Sequence, residues 1–103
     1  MPVYAAPLRE YRFLLREVLQ IDRYSNLPGF ADATPELVDQ ILDEAGRFCC
    51  EVIQPLNVVG DTEGCKRAAD GSVKTPTGFK AAYAQLVAGG WPALACDPAY
   101  GGQ

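Results

Sequence analysis

Histidine is missing from all 103 residues. Its absence removes the commonest general base and metal ligand, and with them Ser-His-Asp triads, zinc deaminase centres and His-based metal sites. No C-x-x-C pair occurs either, because Cys49 and Cys50 are adjacent while Cys65 and Cys96 stand alone. A tetrahedral zinc site and a dithiol redox centre are therefore excluded. There is no excess of positive charge: nine Lys plus Arg against thirteen Asp plus Glu leave a net charge of −4, which argues against a general nucleic-acid binder. No apolar run approaches the ~18 residues of a membrane span. The stretch from Met1 to Leu8 also lacks the charged start and apolar centre of a signal peptide. These absences together read as a cytoplasmic protein with four reduced thiols.

What is present suits one small domain. A chain of this length buries about two-thirds of its unfolded surface, and 49% hydrophobic with 21% charged residues is the balance of a globular fold rather than a disordered one. Pro7 is placed to open a helix running from about Leu8 to Tyr24. At about 100° per residue, Leu8, Tyr11, Leu14, Leu15, Val18 and Ile21 share one face, and Arg9, Arg12, Arg16 and Arg23 form a stripe on the other. Phe13 falls beside Arg9, outside the apolar arc, and is expected to be exposed. Asn26-Leu-Pro-Gly29 then breaks the helix.

A second helix starts at Thr34, an N-cap followed by Pro35 at the first helical position and by Glu36 and Asp39 near the positive end of the dipole. Leu37, Val38, Ile41, Leu42, Ala45, Phe48, Cys49, Val52 and Ile53 repeat at helical spacing, and Pro55 ends or kinks the helix after Ile53. Phe48 lies at the centre of the apolar face, Cys49 within it and Cys50 at its edge, so packing explains both thiols. Glu36, Asp39, Asp43 and Glu51 line the opposite side as a solvated surface. Ala69-Asp70-Gly71-Ser72 predicts a tight turn joining short strands over Cys65 to Ala68 and Val73 to Thr75. A third helix begins near Thr75-Pro76 or Thr77, presents Phe79, Ala82, Tyr83 and Leu86 on one face, and stops at Gly89-Gly90. The expected fold is all-α: about three helices with a short β-hairpin insert.

The tail from Trp91 to Gln103 carries Trp91, Leu94 and Tyr100 without a further element to cover them, which favours a chain trimmed from something longer. Phe48-Cys-Cys-Glu-Val-Ile-Gln-Pro-Leu-Asn-Val-Val-Gly-Asp61 resembles the second-helix signature of acyl-CoA dehydrogenases. Thr75 to Leu94 resembles their next segment, with a helix leading to Gly90, and Tyr100-Gly101-Gly102 resembles the Tyr-Gly-Gly that closes it. The opening from Met1 to Phe13 resembles the N-terminal extension of a long bacterial branch that includes methylmercaptopropionyl-CoA dehydrogenases. One departure is Asp97, where the family usually has proline, with Pro98 one position later.

The resemblance implies an N-terminal helical region spanning 1–103, with 1–30 as an extension and 34–103 as the start of the helical domain. It implies a flavoenzyme in which a Glu carboxylate removes the α-proton of an acyl-CoA thioester, FAD takes the β-hydride, and an electron-transfer flavoprotein receives the electrons. The base and most flavin contacts of that family come from later domains. By this reading the present residues include no catalytic, cofactor-binding or metal-binding group. The expected partners are the remaining domains and a second copy of the chain, since the family forms dimers and tetramers. A second class of function is a free-standing helical interaction module, with the Arg stripe and the acidic face as complementary docking surfaces. A thiol enzyme using Cys49 or Cys50 is disfavoured, because no His or cationic pocket is evident to lower a thiol pKa.

Overall fold

A computed structural model describes residues 3–103. Met1 and Pro2, which open the segment read above as an extension without signal-peptide character, lie outside the described residues. The chain divides into two compact units, Met1–Gln54 and Pro55–Gln103.

In the first unit, α1 covers Leu8–Phe13 and passes into a π turn over Leu14–Val18, where Leu19 N–H donates to the Leu14 carbonyl at 2.8 Å. The helical run then ends at Gln20, which adopts a left-handed φ of 50°, and Ile21–Tyr24 follows as a separate 3₁₀ turn. The expected single helix to Tyr24 is thus shortened. The stop is a left-handed residue just past the last helical turn, a common way to close a helix, placed well before Asn26-Leu-Pro-Gly29. The side chain of Gln20 accepts from Arg23 Nη1 at 3.1 Å and so ties the break together.

α2 spans Pro35–Phe48. Thr34 is its N-cap, as expected: the hydroxyl oxygen accepts from Leu37 N–H at 3.2 Å, an arrangement that contributes about 1 kcal/mol. A second π turn, Cys49–Ile53, follows directly, and α3 covers Gln54–Glu63. Pro55 therefore does not end the helical backbone. Inside a regular helix its ring would crowd the carbonyl four residues earlier. The wider turn immediately before it, closed by Gln54 N–H on the Cys49 carbonyl, changes the register of the carbonyls that the ring would meet. The first π turn has no such cause in the sequence. Phe48 and Cys49 are half-buried rather than enclosed.

The second unit contains α3 together with the strands β1 (Lys66–Arg67) and β2 (Val73–Lys74) and the helix α4 (Phe79–Ala88). The strands pair antiparallel, Lys66 opposite Lys74 and Arg67 opposite Val73, so the hairpin expected from Asp70-Gly71 forms. Its turn is held by Gly71 N–H on the Ala68 carbonyl at 3.0 Å. Asp70 Oδ1 accepts from the Ser72 amide at 2.9 Å and from the Ser72 hydroxyl at 2.6 Å.

α4 starts later than expected because Gly78, at φ 87°, turns the chain into it. Phe79 then lies across Gly60 of α3, where a Cβ would come within 2.7 Å of the ring. Ala82 is 5% exposed and Leu86 half-buried, but Tyr83 is 66% exposed. The seam of α4 is centred on Ala82 and Leu86, which corrects the expectation that Tyr83 shares the covered face.

The tail forms two 3₁₀ turns, Trp91–Ala93 and Pro98–Tyr100. Asp97 takes an extended backbone, as a residue before proline must, and its carboxylate caps the Ala99 amide at 2.8 Å. The acid at position 97 thus gains a capping bond that a proline there could not make. The Gly101-Gly102 pair has a steric reason. Gly101 is left-handed at φ 85°, and Gly102 lies so close to the Cys96 backbone that no side chain fits.

Two carboxylates tie down the hairpin and the approach to α4. Glu63 Oε2 accepts from Thr77 N–H at 2.8 Å, and this bond, with the nearby Lys74 and Lys66 cations adding to it, holds its pKa below the ordinary 4.5. The Ser72 hydrogen bonds hold Asp70 below the ordinary 3.8. A carboxyl depressed in the fold gives stability that is present above its unfolded pKa and is lost as pH falls through the folded one. Acidification from pH 5 towards about pH 2 is therefore expected to loosen the hairpin and the start of α4. The protection of the Ser72 and Thr77 amides, taken relative to the intrinsic exchange rate at each pH, should fall across that window in the wild type, and that of Thr77 should already be low at neutral pH in Glu63→Gln. Protection of both amides that stays constant down to pH 2 would contradict these ties.

Candidate functional site

The densest polar arrangement of the first unit joins α1 to α2. Arg12 and Arg16 lie one turn apart, as do Asp39 and Asp43, so each pair falls on one helix face. Arg12 Nε donates to Asp39 Oδ1 at 3.2 Å and Arg12 Nη2 to Asp43 Oδ1 at 2.6 Å, while Arg16 Nη2 bonds Asp39 Oδ2. The hydrogen bond to Asp43, then that to Asp39, pushes the Arg12 guanidinium above its ordinary pKa. Arg9 and Arg23 take no part: Arg23 is turned to Gln20, and no ion pair involves either among the described residues.

The arginine stripe and the acidic face are thus partly spent on each other. Asp39 and Asp43 hold arginines, whereas Glu36 and Glu51 remain exposed. The covered side of α1 is correspondingly rotated from the apolar arc. Leu8 packs on Gly46 of α2, which is buried, and Leu15 borders a narrow groove with Arg12, Val38, Asp39 and Leu42. Tyr11, Leu14 and Val18 are left exposed. Phe13 is 59% exposed, as its position beside Arg9 suggests.

Chemically, this arrangement fastens two helices through charge-assisted hydrogen bonds. The groove beside the clasp encloses about 10 Å³, near the minimum for one water molecule. Cys49 and Cys50 are half-buried free thiols, with Cys50 Sγ 3.6 Å from the Tyr4 carbonyl, and Cys65 and Cys96 are free and exposed. Among the described residues no three His, Cys, Asp or Glu side chains gather as a metal site, and no helix is long and apolar enough to cross a membrane. The sequence contained the signal for the clasp, two Arg and two Asp each one turn apart. Which arginines would use it depended on the helix phase, which the apolar pattern set wrongly.

No family model matches the chain. It is 37% identical over 99 residues to the 3-methylmercaptopropionyl-CoA dehydrogenase of Ruegeria pomeroyi. The match covers 96% of this chain and 17% of that relative, so the chain spans about a sixth of the relative's length. The likeness to the N-terminal region of an acyl-CoA dehydrogenase, first seen in Phe48–Asp61 and Tyr100-Gly101-Gly102, therefore extends over almost every residue.

Because the clasp is solvent-accessible, it should yield to salt, which screens exposed charges beyond about 8 Å at physiological ionic strength. Raising NaCl to about 1 M, where that distance falls to about 3 Å, is expected to speed amide exchange across Tyr11–Leu19 but not at the Thr34 cap. Arg12→Gln should give the same acceleration at low salt. Exchange of α1 that is indifferent to both salt and Arg12→Gln would show that apolar contacts alone hold it.

Proposed function

We propose that this chain, similar as it is to the N-terminal region of an acyl-CoA dehydrogenase, is a non-catalytic helical part of an FAD-dependent enzyme that oxidises an acyl-CoA thioester to the 2,3-enoyl-CoA. Residues 1–30 form an extension and 34–103 the start of the helical domain. The part walls one side of the substrate cavity and packs against the domains that carry the flavin and the base, in a cytoplasmic homo-oligomer that passes electrons to an electron-transfer flavoprotein. The observation that carries this reading is the 37% identity to a dehydrogenase along 96% of the chain.

The packing role is supported by how little the chain encloses. Nineteen large apolar side chains are exposed among the described residues, far more than the scattered few of an ordinary surface. They include Tyr11, Leu14 and Val18 on the first helical run, Tyr83 and Val87 on α4, and Tyr100 in the tail. The groove beside the clasp has room for about one water, and the basin beside the hairpin is open to solvent. The family resemblance puts FAD and the catalytic base in other domains, and the reading proposed assigns no chemical step to this chain. The alternative of a free-standing interaction module is weakened by the clasp, because Arg12, Arg16, Asp39 and Asp43 satisfy one another instead of facing a partner.

The purified chain is expected to elute from gel filtration colourless and to leave acyl-CoA unoxidised in the presence of an electron-accepting dye. Stoichiometric flavin retained through the column, or dye reduction dependent on acyl-CoA, would overturn the non-catalytic assignment.

A further inference from the structure

The hairpin sets two lysines face to face. Lys66 on β1 is directly opposite Lys74 on β2, and residues so paired project from the same side of the ladder. Both border one basin of about 220 Å³, together with Thr62, Glu63, Gly64 and Thr75. All of these residues belong to the second unit. Neither ammonium forms an ion pair among the described residues.

Like charges directly opposite destabilise an antiparallel pair, and strands of two residues have little stability to spare. Two structural roles could excuse a lysine here. A cation near the last turn of α3 complements the helix dipole, and Lys74 and Lys66 both act on the Glu63 carboxylate. Either role is met by one lysine, and neither requires two cations across an open basin. Glu63 is itself committed to Thr77 N–H through Oε2. The basin is thus lined by two lysines and two threonines against a single engaged carboxylate. That is a donor set matched to a compact dianion, with a volume well above the ~30 Å³ share of one water.

We propose that the basin between Lys66 and Lys74 binds a phosphoryl group, the two ammoniums taking its charged oxygens and the Thr62 and Thr75 hydroxyls donating to it. A bound dianion turns the cross-strand repulsion into a bridge, so occupancy stabilises the hairpin. The site stands on the hairpin alone and does not need the dehydrogenase reading. Under that reading, the phosphates of coenzyme A are one source of the group and free phosphate is the other.

The test is a titration of the 103-residue chain with inorganic phosphate and, separately, with coenzyme A at neutral pH and low salt. It follows the amide resonances of Lys66, Ser72 and Lys74. Saturable shifts are expected with at least one of the two, weakened at least about tenfold in Lys66→Gln and in Lys74→Gln and unchanged in Lys80→Gln. Much tighter saturation by coenzyme A assigns the group to the nucleotide, and equal affinity assigns it to free phosphate. In the absence of phosphate both glutamine variants should keep the hairpin, with Ser72 exchange no faster than in the wild type, because a like-charge contact has been removed. The proposal is overturned if neither titrant saturates, if the glutamine variants bind as tightly as the wild type, or if each variant loses the hairpin and so reveals a purely structural role.

Discussion

An apolar helix face is stable only when something covers it, and in this chain the cover is incomplete. Gly46, Pro76 and Ala82 are the buried residues among those described, and none has a large side chain. Apolar burial supplies most of the favourable free energy of folding, at about 25 cal/mol per Å² removed from water. Half-covered residues such as Phe48, Val52 and Leu86 return only part of what their size allows. Close helix contact is therefore made where side chains are smallest, with Leu8 on Gly46, Phe79 on Gly60 and Ala82 inside α4.

Directional bonds fill part of the gap within each unit. In the first, Arg12 and Arg16 fix α1 against Asp39 and Asp43, and the same bonds decide which side of α1 faces solvent. In the second, Asp70, Glu63 and Asp97 each accept from backbone amides, closing a turn, a link to Thr77 and a tail turn that have little apolar support. Exposed ion pairs are individually weak. Here they accompany an arrangement in which Tyr11, Leu14 and Val18 stay uncovered.

Local chemistry was the most legible part of the sequence. Thr34-Pro35 and Asp70-Gly71 act through neighbouring backbone groups, and both performed as their residue types require. The all-α class with a hairpin insert followed from the same signals. Helix phase was less legible. The periodic apolar residues of the first helix mark the surface it can bury, but the observed contact half-covers Leu8, Leu15 and Ile21 and leaves Tyr11, Leu14 and Val18 outward, while the arginine and aspartate pairs meet across the other side. At Pro55, read as ending or kinking the helix, the first of the two does not occur: a π turn just before it satisfies the proline constraint without ending the helix. Tyr83 and Ala82 are neighbours on one arc, and only the approach of α3 through Gly60 determines which is covered. The family likeness was readable because it rests on residue order, which does not depend on packing.

The decisive question is whether these residues close a core on their own, and scanning calorimetry of the purified chain answers it most directly. A self-sufficient domain of about 100 residues unfolds sharply with an enthalpy of about 60–80 kcal/mol. With its large apolar side chains half covered or exposed, this chain is expected to melt broadly, with less than about half that enthalpy, and to bind a hydrophobic dye before melting. A sharp two-state transition with the full enthalpy and no dye binding would contradict the view that its apolar faces are made to be covered by other parts of an enzyme.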